Sequence, residues 1–487
     1  MIRRLGYLVL LTAAALPAMT GTAEARHGLL TGFTDPEAFQ ALSPGQSQLA
    51  LGRAKGAGAG VARLAYGWRA VNPTRPPTAA AASDPAWSGY RWGAVDRGVR
   101  QATAAGLRVV LAFNEAPDWA EGPNRPSVSR APLGTWRPSS TAYRRFAHAL
   151  AARYSGSFAD PAGRVLPRVR YYQAWNEPNL YNFLNPQWKK RRGRYVAVSP
   201  VLYRQLLNAF YRGVKSVHRS NYVVSAGTAP FGDPRKGRSR MAPAFFTREF
   251  LCVRGRRRPK PFRCSSSPAR FDALAHHPYP IGPPRRPAAN PDDVVVADIG
   301  KLTRPLRAAI RARKVAPRRR KPVWATEISW DTRPPDPDGI PAGTQARYLE
   351  GALYTLWRQG VSVVTWYLFR DQAAGRGYGF TLQAGIFFRG ATVALDRPKP
   401  SYTTFHFPLT AYRKRRVAQI WGLAPRPGAV AIEIRRRGSW RRLLTLRARS
   451  RDRLFFRAKR VRKGSVLRAR QGSATSFSWR VAQNVTE

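Results

Sequence analysis

The stretch Val169-Arg170-Tyr171-Tyr172-Gln173-Ala174-Trp175-Asn176-Glu177-Pro178-Asn179 runs as an aromatic-rich segment and ends in a glutamate followed by proline. Aromatic and β-branched side chains suit a pleated strand. Pro178 stops it, because proline brings no N–H to a ladder. A second segment has the same form: Pro322-Val323-Trp324-Ala325-Thr326-Glu327, again a strand closed by a glutamate. Working outward from these two, six further strand-like runs occupy residues 29–33, 61–66, 108–113, 222–226, 273–277 and 362–368. Between the runs, helical periodicity covers 92–105, 141–154, 201–218, 292–312 and 345–359. Strands alternating with helices predict an α/β fold with a parallel sheet. Eight such units predict a (β/α)8 TIM barrel over residues 26–410. An open doubly wound sheet is the alternative, and it lacks the glycine-rich phosphate loop after its first strand.

Past residue 410 the pattern changes. Short strand-like runs at 429–435, 443–446, 454–458, 466–471 and 477–481 follow one another with turn-like spacers and no long helix. They predict a small β-sandwich-like module over 411–487. The absence of a low-complexity linker predicts that it packs on the barrel.

Residues 1–25 read as a signal peptide. Arg3 and Arg4 precede the apolar run 5–16, and Ala23-Glu24-Ala25 supplies a cleavage pattern. The run is shorter than the roughly 20 residues a membrane span needs; an uncut N-terminal anchor is the alternative. The expected location is secreted or cell-wall associated. Cys252 and Cys264 fit an oxidising compartment, where a disulfide across so short a loop would add about 3 kcal/mol; two free thiols are the alternative. No histidine or second cysteine pair stands at zinc spacing, so no metal site is expected.

The formal net charge is +58. Arginine exceeds lysine and is spread along the chain, with dense runs at 254–258, 318–321, 413–416 and 435–437. Aromatics do not interleave with these runs, which argues against a specific nucleic-acid partner. Attraction to anionic cell-wall polymers at low salt is expected.

In a (β/α)8 barrel the chemistry lies at the C-terminal ends of the strands. Glu177 and Glu327 both close strands and would face one mouth. Two carboxylates across one cleft are what acetal hydrolysis needs: one protonates the leaving oxygen, the other captures the oxocarbenium-like carbon.

Asn176-Glu177-Pro178 after a strand resembles the Asn-Glu-Pro signature of the clan A glycoside hydrolases, retaining enzymes on a (β/α)8 barrel. The style, with Trp-Asn-Glu-Pro-Asn and His-Pro-Tyr, is most similar to the β-xylosidase and α-L-iduronidase type or a cellulase-like relative. The resemblance implies Glu177 as acid/base after the fourth strand and Glu327 as nucleophile on the seventh. It further implies Arg63 beside the nucleophile, Asn176 on the sugar 2-hydroxyl, His277 and Tyr279 at the sixth strand, and Trp366 under the sugar. His276 is the competing choice to His277. Trp119 and Trp330 are weaker aromatic platforms, and Glu115, Asp118 and Asp371 are further acids after strands. The expected partner is a poly- or oligosaccharide, with no cofactor. The competing reading is an inactive carbohydrate- or wall-binding protein on a relict barrel.

Overall fold

A computed structural model describes residues 28–233, 239–265, 267–375 and 377–482. The expected signal peptide, residues 1–25, lies outside the described residues. Eight strands form one parallel sheet: β1 (Leu30–Thr34), β2 (Val61–Gly67), β3 (Arg108–Asn114), β4 (Tyr171–Ala174), β5 (Tyr222–Ser225), β6 (Leu274–His276), β7 (Val323–Ala325) and β8 (Val361–Trp366). Their order is β6-β7-β8-β1-β2-β3-β4-β5, so each strand lies beside its neighbours in sequence. Parallel bridges Val224–Ala273 and Thr228–His276 bring β5 to β6 and nearly close the barrel.

Successive side chains of a strand point to opposite faces. One set fills the barrel: Val61, Val110, Val224, Ala273, Ala275, Trp324 and Val363. Trp324 stacks on Tyr222 with ring centroids 5.7 Å apart. The other set, including Leu64, Leu111, Phe113, Tyr172 and Val364, packs on the helices.

Each strand is followed by a helix: α1 (Pro44–Gly56), α2 (Gly93–Ala104), α3 (Ser140–Arg153), α4 (Ser199–Val217), α5 (Pro243–Phe250), α6 (Gly300–Arg311), α7 (Ala342–Arg358) and α8 (Pro400–His406). The three that periodicity does not reveal, α1, α5 and α8, are short or weakly amphipathic, and all begin with proline. Proline suits the first helical turn, where its missing N–H would have no partner. The helix expected over 292–312 starts only at Gly300. Ahead of it the Asp298 carboxylate accepts the N–H groups of Ala288 and Val295, and Asp292 pairs with Arg248 and Arg256; these bonds keep the segment out of the α-helix, apart from one 3-10 turn at Val296–Asp298.

Six longer strands follow the barrel: β9 (Leu409–Lys414), β10 (Val417–Leu423), β11 (Gly428–Arg436), β12 (Ser439–Ala448), β13 (Leu454–Arg460) and β14 (Val466–Gln471). They form two antiparallel sheets, β9-β10-β13 and β12-β11-β14, the second extended by short strands beside β14. The hairpin β9–β10 is not evident in the sequence, because Arg415 and Arg416 at its turn continue a charged run. The first sheet packs on α7: Trp357 lies 5.9 Å from Trp421 and 5.3 Å from Phe456, and Tyr354 stacks on Tyr412 at 4.9 Å. Cys252 and Cys264 form a disulfide just after α5, with Cα atoms 5.5 Å apart. No helix among the described residues is long and apolar enough to cross a membrane.

Candidate active site

Beyond β4 the chain leaves the barrel through two left-handed residues, Trp175 (φ 74°) and Glu177 (φ 33°). For non-glycine residues that conformation is strained, and such strain persists only where neighbours enforce it. Here they do. The buried Trp175 indole donates to Phe183 O at 2.8 Å, and the Glu177 N–H donates to Gly227 O at 2.9 Å. Glu177 is thereby set at the rim of the barrel, half-buried.

Glu327 follows β7 and is held by two donors. Arg63 on β2 gives Nη1 to Oε1 at 2.8 Å, and the Tyr279 hydroxyl gives its proton to Oε2 at 2.9 Å. Arg63 is fully buried and fully engaged: Nε donates to Gln173 Oε1 at 2.6 Å and Nη2 to Asn176 Oδ1 at 3.0 Å. Burial, then the charge on Glu327, pushes the Tyr279 phenol well above its ordinary range, so it stays a proton donor.

The two glutamates meet at His277. Its Nδ1 is 2.8 Å from Glu177 Oε1 and 3.7 Å from Glu327 Oε2. His277 is buried, and Nε2 has no partner among the described residues. Its neighbour is different in kind: His276 bonds Thr228 Oγ1 and Val294 O, both at 2.8 Å, and burial lowers its pKa to about 3, so it stays neutral in the core. Of the two histidines, His277 joins the carboxylates.

Arg63, Asn176, Glu177, His277, Tyr279 and Glu327 thus form one cluster. Trp366 does not join it, and this corrects the sequence reading. On β8, Val363 and Thr365 face inward, Thr365 being bonded to Thr326 O, so Trp366 faces the helices. It is fully buried there, donating its indole N–H to Ala384 O at 2.8 Å beside Trp330 at 5.9 Å. The next inward residue is Tyr367, whose ring centroid is 6.4 Å from that of Tyr279. Burial, then Glu327, raises its phenol pKa. Sequence reading missed Tyr367 and the buried Gln173; strand parity finds both only once the folded barrel shows which residues fill it.

The weaker candidates divide. Trp330 is buried against Trp366, while Trp119, half-buried, donates to Asn72 O. Asp371 is not a cleft residue: it is buried against Lys399 Nζ at 2.6 Å, and burial raises its pKa to about 6. Asp118 is exposed and pairs with Arg69 at 3.1 Å, and half-buried Glu115 follows β3 with φ 59°.

Glu177, His277 and Glu327 place one donor atom each within 4.8 Å of one another, a spacing a metal ion could bridge. Three of the four carboxylate oxygens are already hydrogen-bonded, Glu327 Oε1 to Arg63, Glu327 Oε2 to Tyr279 and Glu177 Oε1 to His277. The Arg63 cation already lies against Glu327 and supplies that carboxylate with a positive partner.

No protein-family model matches this chain, and no curated protein matches it. Among solved structures, a family 39 glycoside hydrolase from the gut symbiont Bacteroides cellulosilyticus WH2 aligns with a TM-score of 0.52 and 16% identity, covering 90% of this chain and 82% of that one. The fold is shared. The GH39 enzyme from Xanthomonas axonopodis pv. citri aligns at 14% identity with a TM-score of 0.48, over 91% and 93% of the two chains. A GH5_18 protein from Bifidobacterium longum subsp. infantis aligns at 13% with a TM-score of 0.47, over 78% and 77%.

Proposed function

We propose that this chain is a secreted glycoside hydrolase that cleaves the O-glycosidic bonds of a poly- or oligosaccharide with retention, Glu327 acting as nucleophile and Glu177 as acid/base. One observation carries the reading: carboxylates from two distant strands, β4 and β7, converge on one histidine with oxygens within 4.8 Å. That is near the spacing of retaining pairs, about 5–5.5 Å, and short of the roughly 6.5–9.5 Å that an inverting enzyme leaves for water.

In the first step Glu327 Oε attacks the anomeric carbon as the glycosidic C–O bond breaks, and protonated Glu177 gives its proton to the departing oxygen. In the second step water attacks that carbon, Glu177 takes the water's proton, and the ester to Glu327 breaks. Arg63 and Tyr279 hold Glu327 aimed through their hydrogen bonds to its two oxygens. His277 holds Glu177 in place. Asn176 Oδ1 is taken by Arg63, so its amide N–H groups are the end that donates to the sugar 2-hydroxyl. Tyr367 takes the place expected of Trp366 as the aromatic wall.

Hydrolysis of a panel of aryl α- and β-glycosides by wild type, Glu177→Ala and Glu327→Ala tests the proposal. Turnover should fall by about 10³-fold or more in Glu327→Ala. In Glu177→Ala it should return on adding azide, which needs no base. A folded wild type silent on this panel and on polysaccharides would instead support the relict-barrel reading.

A further inference from the structure

The basic excess is not even along the chain. Residues 409–480 carry 22 lysines and arginines against two acids, Glu433 and Asp452. Asp452 is taken by Arg449 and Arg451 at the turn before β13. The β sheets decide where the rest of this charge goes.

Sheet β9-β10-β13 has one face on α7 through Trp421, Tyr412 and Phe456. Sheet β12-β11-β14 turns Val430, Ile432, Leu467 and Ala469 inward, all buried. Its other face carries exposed side chains. Residues directly opposite each other on neighbouring strands share a face. Glu433 lies opposite Arg442 and Arg468, Arg435 opposite Trp440, Ala431 opposite Arg470, and Ala429 opposite Arg447. On these three strands the outward face therefore holds five arginines and one glutamate, with alanines keeping its middle low, and Arg480 on the short strand beside β14 adds a sixth arginine at its edge.

Two of the five are fixed in place. Glu433 binds Arg468 Nε at 2.6 Å and Arg470 Nε at 2.9 Å, and the Arg468 guanidinium lies 4.3 Å over the Trp440 ring. Three are not: Arg435, Arg442 and Arg447 are exposed, with no carboxylate partner among the described residues. From Arg435 to the position opposite Arg447 is six residues of β11, roughly 20 Å of strand. That is the reach of a polymer rather than of a single sugar.

We propose that this face binds an acidic polysaccharide, a chain of uronate sugars whose carboxylates pair with the arginines. Arginine forks match carboxylates two bonds at a time, which lysine cannot do. A single aromatic, already capped by Arg468, gives no ladder for stacking successive bases, which single-stranded nucleic acid needs. The choice of a sugar polymer rests on the glycosidase reading of the barrel, and the face would hold that polymer near the enzyme.

The test is binding of the mature full-length chain to polygalacturonate, to its methyl-esterified form, and to single-stranded DNA, at about 50 mM and about 500 mM salt. Two charge-matched triple variants are compared, Arg435→Ser/Arg442→Ser/Arg447→Ser and Arg257→Ser/Arg307→Ser/Arg311→Ser, the second on the outer surface of the barrel. Polygalacturonate should bind and its ester should not, and only the first triple should weaken binding, by about tenfold or more. Equal weakening by both triples would reduce the effect to net charge. DNA binding as tight as polygalacturonate and lost in the same triple would overturn the choice of ligand. Glu327→Ala should bind as wild type does, so binding and turnover can fail separately.

Discussion

At Gly227 the missing side chain makes room for the His277 ring; a Cβ there would collide with Nε2. The same residue's carbonyl receives the Glu177 N–H, so one glycine positions both the histidine and the acid/base candidate. Gly227→Ala should therefore lower kcat by about 10²-fold while circular dichroism shows a folded barrel, since displacements near 1 Å cost that much. Arg63 poses the opposite case, a large side chain with every nitrogen engaged. Arg63→Met would leave Glu327 without its cation. Denaturant titration should show a loss of about 3 to 5 kcal/mol, the usual result of removing one partner of a buried pair, and activity should fall with it.

On β8, two adjacent aromatics divide the work by strand parity. Trp366 packs among the helices, and Tyr367 faces the carboxylates. Trp366→Ala should destabilise the fold by about 3 to 5 kcal/mol, as large-to-small core changes do. Tyr367→Ala should instead lower kcat/KM with a smaller effect on the melting temperature. If the two phenotypes were exchanged, the assignment of faces would be wrong. The same alternation runs through β4, where Tyr171 fills the barrel, Gln173 anchors Arg63, and Tyr172 packs outward.

Over the whole molecule, burial without a full partner leaves two carboxyls far above their ordinary range. Glu350, where α7 meets β9, is raised to about 8 by burial, with Arg347 working against it. Asp35, at the end of β1, is raised to about 7 by burial despite bonds from the N–H groups of Ala38, Phe369 and Arg370. Both are favoured protonated in the folded chain. The stability they contribute is complete below the unfolded carboxylate range, near about 4, and is lost as pH rises through about 7 and 8. The melting temperature should fall between about pH 5 and pH 8. In Glu350→Gln, which needs no proton to stay neutral, scanning calorimetry should find a shallower fall.

The sequence by itself determined the eight strands, the two glutamates that close β4 and β7, and the change of pattern past residue 410. These depend on local chemistry: β-forming runs, proline stops, and an acid at a strand end. It also marked Arg63, His277 and Tyr279 through resemblance, and they do lie together. The tertiary structure alone decided between His276 and His277, because both are adjacent and only the closing of β5 on β6 says which meets a carboxylate. It alone exchanged Trp366 for Tyr367, since a one-residue change of parity reverses the face and no local signal fixes parity at a strand end. It alone gathered arginines of β11, β12 and β14 onto one face, because cross-strand register is a relation between distant segments.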